Sequence, residues 1–323
     1  MTPPISSASA AAGTLPPEPQ PHSFPNAFTK YLAATRPVFL TVTLVACLLG
    51  LAVAYSTGVS LDAGKAVLTI LFALLAHAGA NVVNDYHDGQ SGADTGNTGH
   101  LFPFTGGSRF IPNGVLTLRR TGVFGYTLLL AVIPAGLWLS WLSAPGLIVI
   151  GLAGLLVGWA YSAPPLQLMC RGVGELAITA GWLLVVVGSD FVQRGSFAPQ
   201  PWLLGLSYAL LVANILYINQ FPDRLGDAAA GKRTLVVRLG RGFGVAEYVV
   251  LVALAYAVPI GLLAGGLGGR ALLLPLLTLP LAVPLCRSVA RDRAGGLLNR
   301  TLAGTARLLL LYGVLFTVGI VYK

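Results

Sequence analysis

AVLTILFALLAHAGANVVNDYHDGQSGAD, residues 66–94, changes character at Asn84. Before that point it is an almost unbroken apolar run; after it come Asp85, Asp88 and Asp94. As a helix rising about 1.5 Å per residue, the apolar part is long enough to cross the roughly 30 Å of hydrocarbon in a bilayer. Composition fits a membrane setting. Of 323 residues, 55% are hydrophobic and 10% charged, whereas a soluble domain carries about a quarter charged residues. Length alone would allow two soluble domains. Further apolar runs at 38–57, 121–140, 144–161, 173–192, 201–221, 243–263, 271–289 and 303–321 predict instead an all-α membrane protein with nine transmembrane helices over residues 28–323. The runs are continuous rather than alternating, which excludes a β-barrel. Residues 1–27, rich in Pro, Ser and Ala, read as a disordered cytoplasmic tail without the basic start or apolar core of a secretory signal.

With nine spans, the amino-terminal tail shares a side with the loops after the second, fourth, sixth and eighth. Of the twenty Lys and Arg residues, all but Lys65, Arg194, Arg270 and Lys323 fall on that side. Basic loops mark the cytoplasmic face, so the tail and these loops are assigned to the cytoplasm and the carboxyl terminus to the outside. The net charge of +9 is thereby a topology signal and not a nucleic-acid footprint. Cys47, Cys170 and Cys286 have no metal-binding or redox spacing and read as packing residues.

Two cytoplasmic loops are long, about 85–120 and 222–242, and such loops usually carry function. The second opens in NQFPDRLGDAAAGKRTLVVRLG, residues 219–240. Asn84 precedes Asp88 by four residues, as Asn219 precedes Asp223, and a further acid follows in each case, Asp94 or Asp227. Four spans separate the two segments, which predicts two similar four-helix halves plus a ninth helix. Residues four apart share a helical face, so the two acidic faces meet if the halves pack about one axis. Asp85, Asp88, Asp94, Asp223 and Asp227 are five of only eleven acidic residues. Crowded in a partly dry site they would repel one another. Divalent cations relieve that, and an all-oxygen donor set suits Mg²⁺, which binds through one or two carboxylates plus waters and substrate phosphates. Ordinary helix-end charges are the bland alternative, but acids at a helix carboxyl end oppose its dipole. His87 reads as solvated and His77 as a packed helix residue. Lys232 and Arg233 stand close enough to neutralise phosphate oxygens. Arg109, in FTGGSRF, reads equally as a topology residue or a phosphate ligand, with Gly106 and Gly107 allowing a tight turn.

Carboxylate-held metal beside cations on a membrane scaffold suits a substrate with a diphosphate head and a long apolar tail. An allylic tail would leave a carbocation needing shelter from water. Trp159, Tyr161, Trp182 and Tyr217 are aromatic candidates for that shelter, although packing or interface anchoring explains each of them as well.

The chain from about Arg36 onward resembles the UbiA superfamily of intramembrane prenyltransferases. The resemblance rests on NDYHD at 84–88 followed by Asp94, on Asp223 and Asp227 running into GKRTLVVRLG, on Arg36–Pro37, and on YSAPPLQLMCRGVGE at 161–175. It implies a helical bundle around a central cavity, a polyprenyl diphosphate bound through Mg²⁺, and an aromatic acceptor that captures the prenyl cation. Carried over by position, it implies Asn84, Asp88, Asp223 and Asp227 at the metal–diphosphate site, with Asp85 and Asp94 in the same motif. Asn219, Lys232, Arg233 and Arg109 are the further diphosphate candidates, and Asp88, Asp223 and Lys232 the catalytic ones. The general pattern has its third aspartate where this chain has Gly92; here the acid follows as Asp94. That form resembles the branch that prenylates 1,4-dihydroxy-2-naphthoate in menaquinone biosynthesis with loss of the acceptor carboxylate. Arg36, Tyr161, Arg171 and Glu175 are candidates to meet the acceptor. Sister branches using 4-hydroxybenzoate or homogentisate stay open. A secondary transporter is the rival from another class, disfavoured because its site would lie near the bilayer midplane. The expected location is the cell (inner) membrane, with the active site at its cytoplasmic face.

Overall fold

The computed structural model describes residues 16–291 and 298–322. Among these there is no strand. After a short α1 (Ala27–Ala34) come α2 (Pro37–Ser56), α3 (Ala63–Ser91), a single turn α4 (Ala93–Gly96), α5 (Leu118–Leu142) and α6 (Leu147–Ser162). Then follow α7 (Gly174–Arg194), α8 (Gln200–Ala229), α9 (Leu235–Ala264), α10 (Leu279–Arg291) and α11 (Leu298–Val321). Among the described residues, eight of the nine expected spans form helical segments long and apolar enough to cross a membrane, counting Arg270–Arg291 as one. The exception is α6, whose 16 residues reach only about 24 Å. Its first turn is delayed past the expected Ala144 by Pro145 and Gly146, and it stops before Ala163–Pro164–Pro165, where proline disfavours the helical conformation of the residue before it. The span expected at 271–289 begins as a 3-10 helix over Arg270–Thr278 with Pro275 inside it. Helix α9 bends at Gly240, whose φ of 80° lies outside the helical region.

Two departures matter more. Both acidic segments were expected in loops, yet α3 runs to Ser91 and α8 to Ala229, so Asp85, Asp88, Asp223 and Asp227 sit on the last turns of long helices. Gly92 ends α3: at φ 75° it takes the left-handed cap conformation and its N–H donates to the Asp88 carbonyl. Asp94 is thereby displaced onto α4, off the axis of α3. Residues 16–26, expected to belong to a disordered tail, lie against the loop that follows α4, with Glu18 bonded to His100 and Asn113. Residues 1–15 of that expected tail lie outside the described residues.

The largest core cluster is built on α2, α8, α9 and α11, around the fully buried Tyr208, Tyr217, Tyr248, Tyr312 and Phe316. Lipid tails are as apolar as these side chains, so close backbone approach and interhelical hydrogen bonds carry the association. Tyr312 Oη lies 2.5 Å from Ser207 Oγ and donates to the Ala255 carbonyl at 2.7 Å, linking α11, α8 and α9. Tyr248 Oη meets Thr305 Oγ1 at 2.7 Å, and Tyr208 Oη donates to the Val42 carbonyl at 3.0 Å. On α2, Gly50 lies so near α7 that a Cβ there would collide with the Val186 carbonyl oxygen and Ser189 Cβ. Gly50→Val is expected to push these helices apart and to cost about 1–3 kcal/mol of stability, read as a lower unfolding midpoint in detergent; an unchanged midpoint would contradict the close packing.

Candidate active site

The two acidic helix ends converge. Lys232, in the short connection between α8 and α9, places Nζ 2.6 Å from Asp88 Oδ1 and 3.7 Å from Asp227 Oδ1. One largely enclosed ammonium therefore touches an acid of each segment. Burial opposes its charge, but Asp88 and Asp227 outweigh burial and hold Lys232 protonated above the ordinary lysine range. Asn84 lies one turn before Asp88, as the i, i+4 spacing requires, and its Nδ2 is 3.3 Å from Asp88 Oδ2. The same amide nitrogen lies 3.1 Å from Ser162 Oγ and 3.2 Å from Met169 Sδ, which fixes its orientation.

The loop over 97–117 closes over these acids. Asn97 Nδ2 donates to Asp223 Oδ1 at 2.6 Å. The Ser108 N–H lies 3.3 Å from both oxygens of Asp85, which also pairs with the Arg36 guanidinium. Gly106 and Gly107 both have positive φ, and a Cβ on Gly107 would run into the carboxylates of Asp94 and Asp85. Only glycine lets the backbone lie there. Asp94 is buried; burial and the Asp88 charge push its carboxyl up to about 6, against the pull of Arg36, Lys232 and Arg109. Arg109 donates to the Asp94 carbonyl at 2.5 Å and faces Glu18 at 3.3 Å.

The donor set fits a hard divalent cation such as Mg²⁺. It consists of carboxylate and amide oxygens, and the buried Asp88 Oδ1 meets the Lys232 ammonium at 2.6 Å. Among the described residues no three acidic, imidazole or thiol groups stand close enough to hold one ion by themselves. That suits Mg²⁺, which normally completes its shell with waters and substrate phosphates.

From Asn84 and Asn219, which precede the acids on their helices, a cavity of about 380 Å³ runs between the helices. Arg36, Asn81, Asn84, Tyr161 and Asn219 line its polar end; Phe72, Leu139, Leu147, Ile150 and Val192 are among its apolar lining. His77, expected to be packed away, lines the cavity, its Nδ1 2.8 Å from Thr43 Oγ1 and its ring edge-on to Trp182. Tyr161 and Trp182 are thus cavity residues, whereas Tyr217 is fully buried in the core.

Other expectations do not converge. Arg171 is exposed at the end of a 3-10 turn and donates to the Pro165 carbonyl at 2.6 Å, away from the cavity lining. Arg233 is exposed, and its backbone N–H donates to the Cys170 carbonyl. Two residues adjacent in sequence thus differ: Lys232 lies against the acids, whereas Arg233 is exposed. Glu175 is buried and accepts from the Gln220 amide, outside the cavity lining. Asn97 and Ser108 went unnoticed in the sequence; the Gly106–Gly107 pair was the one local signal that this loop approaches something closely.

Comparison with known proteins gives one family. The model of the UbiA prenyltransferase family matches residues 43–320. The chain is 31% identical over 303 residues to UbiA prenyltransferase domain-containing protein 1 of Xenopus tropicalis, covering 93% of this chain and 84% of that protein. It is 26% identical over 288 residues to the 1,4-dihydroxy-2-naphthoate octaprenyltransferase of Bacillus subtilis (strain 168), covering 88% and 90%. Among solved structures, a UbiA homolog from Archaeoglobus fulgidus bound to DMAPP and Mg²⁺ matches with a TM-score of 0.62 at 16% identity, over 90% of this chain and 99% of that one. At that identity the likeness is one of fold.

The ion-pair geometry generates a stability test. Lys232→Met removes the shared cation and leaves Asp88 and Asp227 facing each other, a loss of about 3–5 kcal/mol for a broken buried pair. The variant's unfolding midpoint should fall in EDTA and recover on adding Mg²⁺, more than the wild type's does; equal Mg²⁺ responses would show that the acids do not take the ion.

Proposed function

Since the chain belongs to the UbiA prenyltransferase family and is a prenyl-transferring enzyme, we propose that it moves a polyprenyl group from its diphosphate to an aromatic acid, 1,4-dihydroxy-2-naphthoate, in menaquinone biosynthesis. The observation that carries this reading is the single lysine reaching acids of both helix ends beside a long apolar cavity. The relative from Bacillus subtilis bears that acceptor in its name, and the Archaeoglobus fulgidus homolog is a protein bound to DMAPP and Mg²⁺. Both support the choice of substrates and ion.

In this reading Asn84, Asp85, Asp88, Asp94, Asp223 and Asp227 are the residues that would hold Mg²⁺, which when bound would supply positive charge to the diphosphate and its leaving oxygen. Lys232 turns part of its charge from Asp88 to the phosphate oxygens, with Asn219 at the cavity mouth and Arg109 at the rim. Arg233 contributes only to the field, since its side chain lies outside the cluster. The tail fills the apolar cavity, where water is scarce and Tyr161 and Trp182 present aromatic surface to a developing cation. The C–O bond breaks with its electron pair leaving on diphosphate. The acceptor ring carbon then supplies the pair for the new C–C bond, and the carboxyl group departs as CO₂. Arg36 lines the cavity mouth and is the best-placed candidate for the acceptor carboxylate; Arg171 is not.

The same reading takes α6 as a ninth, short span, giving two similar four-helix halves plus α11. It places the amino terminus and the acids at the cytoplasmic face of the cell (inner) membrane, in accord with the basic loops.

Purified protein with Mg²⁺ and a polyprenyl diphosphate should prenylate dihydroxynaphthoate and release CO₂. Turnover of 4-hydroxybenzoate or homogentisate instead would move the assignment to a sister branch. Asp88→Ala and Asp223→Ala should each lower kcat by about a hundredfold or more, the scale of losing one main electrostatic partner of the transition state, with expression and fold retained. Near wild-type turnover in either would remove that residue from the site.

A further inference from the structure

Glu18 lies far from the acids in sequence and outside every apolar span, yet it is the hub of the loop that covers them. Its Oε1 is 2.5 Å from His100 Nε2. Its Oε2 accepts from Asn113 Nδ2 at 2.8 Å and lies 3.3 Å from Arg109 Nε. Asn113 Nδ2 also lies 3.0 Å from the Pro19 carbonyl, and Phe24 packs on Phe110 with ring centroids 5.3 Å apart. Two short chains of contacts then lead inward. His100 Nδ1 is 2.7 Å from the Asn97 carbonyl, and Asn97 donates to Asp223. Arg109 donates to the Asp94 carbonyl, and its neighbours Ser108 and Gly107 lie against Asp85 and Asp94.

We infer that Glu18 is a positioning residue for the diphosphate site: through His100 and Arg109 it holds the 97–113 loop over both acidic helix ends. The inference rests on the functional reading above. Arg109 needs such an anchor, because its φ of 63° puts a non-glycine residue in the left-handed region, a conformation that persists only where neighbours enforce it. Burial opposes the charge on Glu18, but hydrogen bonds from His100 and Asn113 and the Arg109 charge bring its carboxyl down to about 2. It is therefore an anion at any physiological pH. Charge-assisted hydrogen bonds of this kind are about twice as strong as neutral ones.

The test uses the full-length protein in detergent, with Mg²⁺ and inorganic pyrophosphate as the probe. Glu18→Gln keeps the size and one acceptor oxygen but loses the charge. It should weaken Mg²⁺-dependent pyrophosphate binding by roughly five- to tenfold, the effect of about 1–1.4 kcal/mol, and raise KM for the prenyl diphosphate more than it lowers kcat. Without any ligand, amides across 97–113 should exchange hydrogen faster, while the global unfolding midpoint stays put. Glu18→Asp should recover part of both effects. Unchanged exchange and unchanged binding in Glu18→Gln would overturn the inference and leave the functional reading standing. A lowered midpoint with no recovery in Glu18→Asp would reduce Glu18 to a structural contact. A wild type indifferent to Mg²⁺ and pyrophosphate would sink the functional reading itself, even if the loop loosens as expected.

Discussion

Lys232 holds its ammonium 2.6 Å from Asp88 and 3.7 Å from Asp227, joining the ends of two helices far apart in the chain. Without a cation between them, the acid-bearing ends of α3 and α8 would repel in surroundings too dry to screen the charges. The arrangement therefore depends on positive charge from Lys232, from Arg36 on Asp85 and from Arg109 at the Asp94 carbonyl. Each of these pairings is one that a phosphate-bound metal would compete with or reinforce. In the proposed reading, the residues whose charges hold this site together are those that a diphosphate would recruit.

The scaffold answers to different physics. The hydroxyls of Tyr208, Tyr248 and Tyr312 find partners on neighbouring helices, because an unsatisfied hydroxyl in hydrocarbon is costly. Gly50 lets α2 and α7 approach closely. These contacts hold one side of the cavity in a fixed shape, and the apolar wall facing it needs only to be smooth and water-excluding.

Much of this was legible in the residues. The apolar runs located eight of the long helices, since hydropathy over a membrane-spanning length is a strong signal. The Asn–Asp spacings of 84–88 and 219–223 were readable as helical faces because i, i+4 geometry is local. Polarity alone suggests that both helices end before the acids, but α3 continues to Ser91 and α8 to Ala229. The short α6 was hidden because its apolar run begins before the turn at Pro145 and Gly146. Asn97 and Ser108 carried no periodic or spacing signal; their partners Asp223 and Asp85 are distant in sequence, and only folding brings them together. Arg171 misled for a related reason: proximity in sequence to Tyr161 says nothing about which side of a 3-10 turn a side chain leaves.

Taken as the proposed ninth span, helix α6 couples the fold to the bilayer itself. Val149 and Leu156 are exposed on its outer face, while Ile150, Gly154 and Gly158 line the cavity. Its length of about 24 Å falls short of ordinary hydrocarbon thickness, and such mismatch is relieved by local thinning or by a change of helix tilt. Lipids of different chain length thus press unequally on this one wall. In the proposed reading, the volume open to the prenyl chain becomes a property shared between the protein and the surrounding membrane.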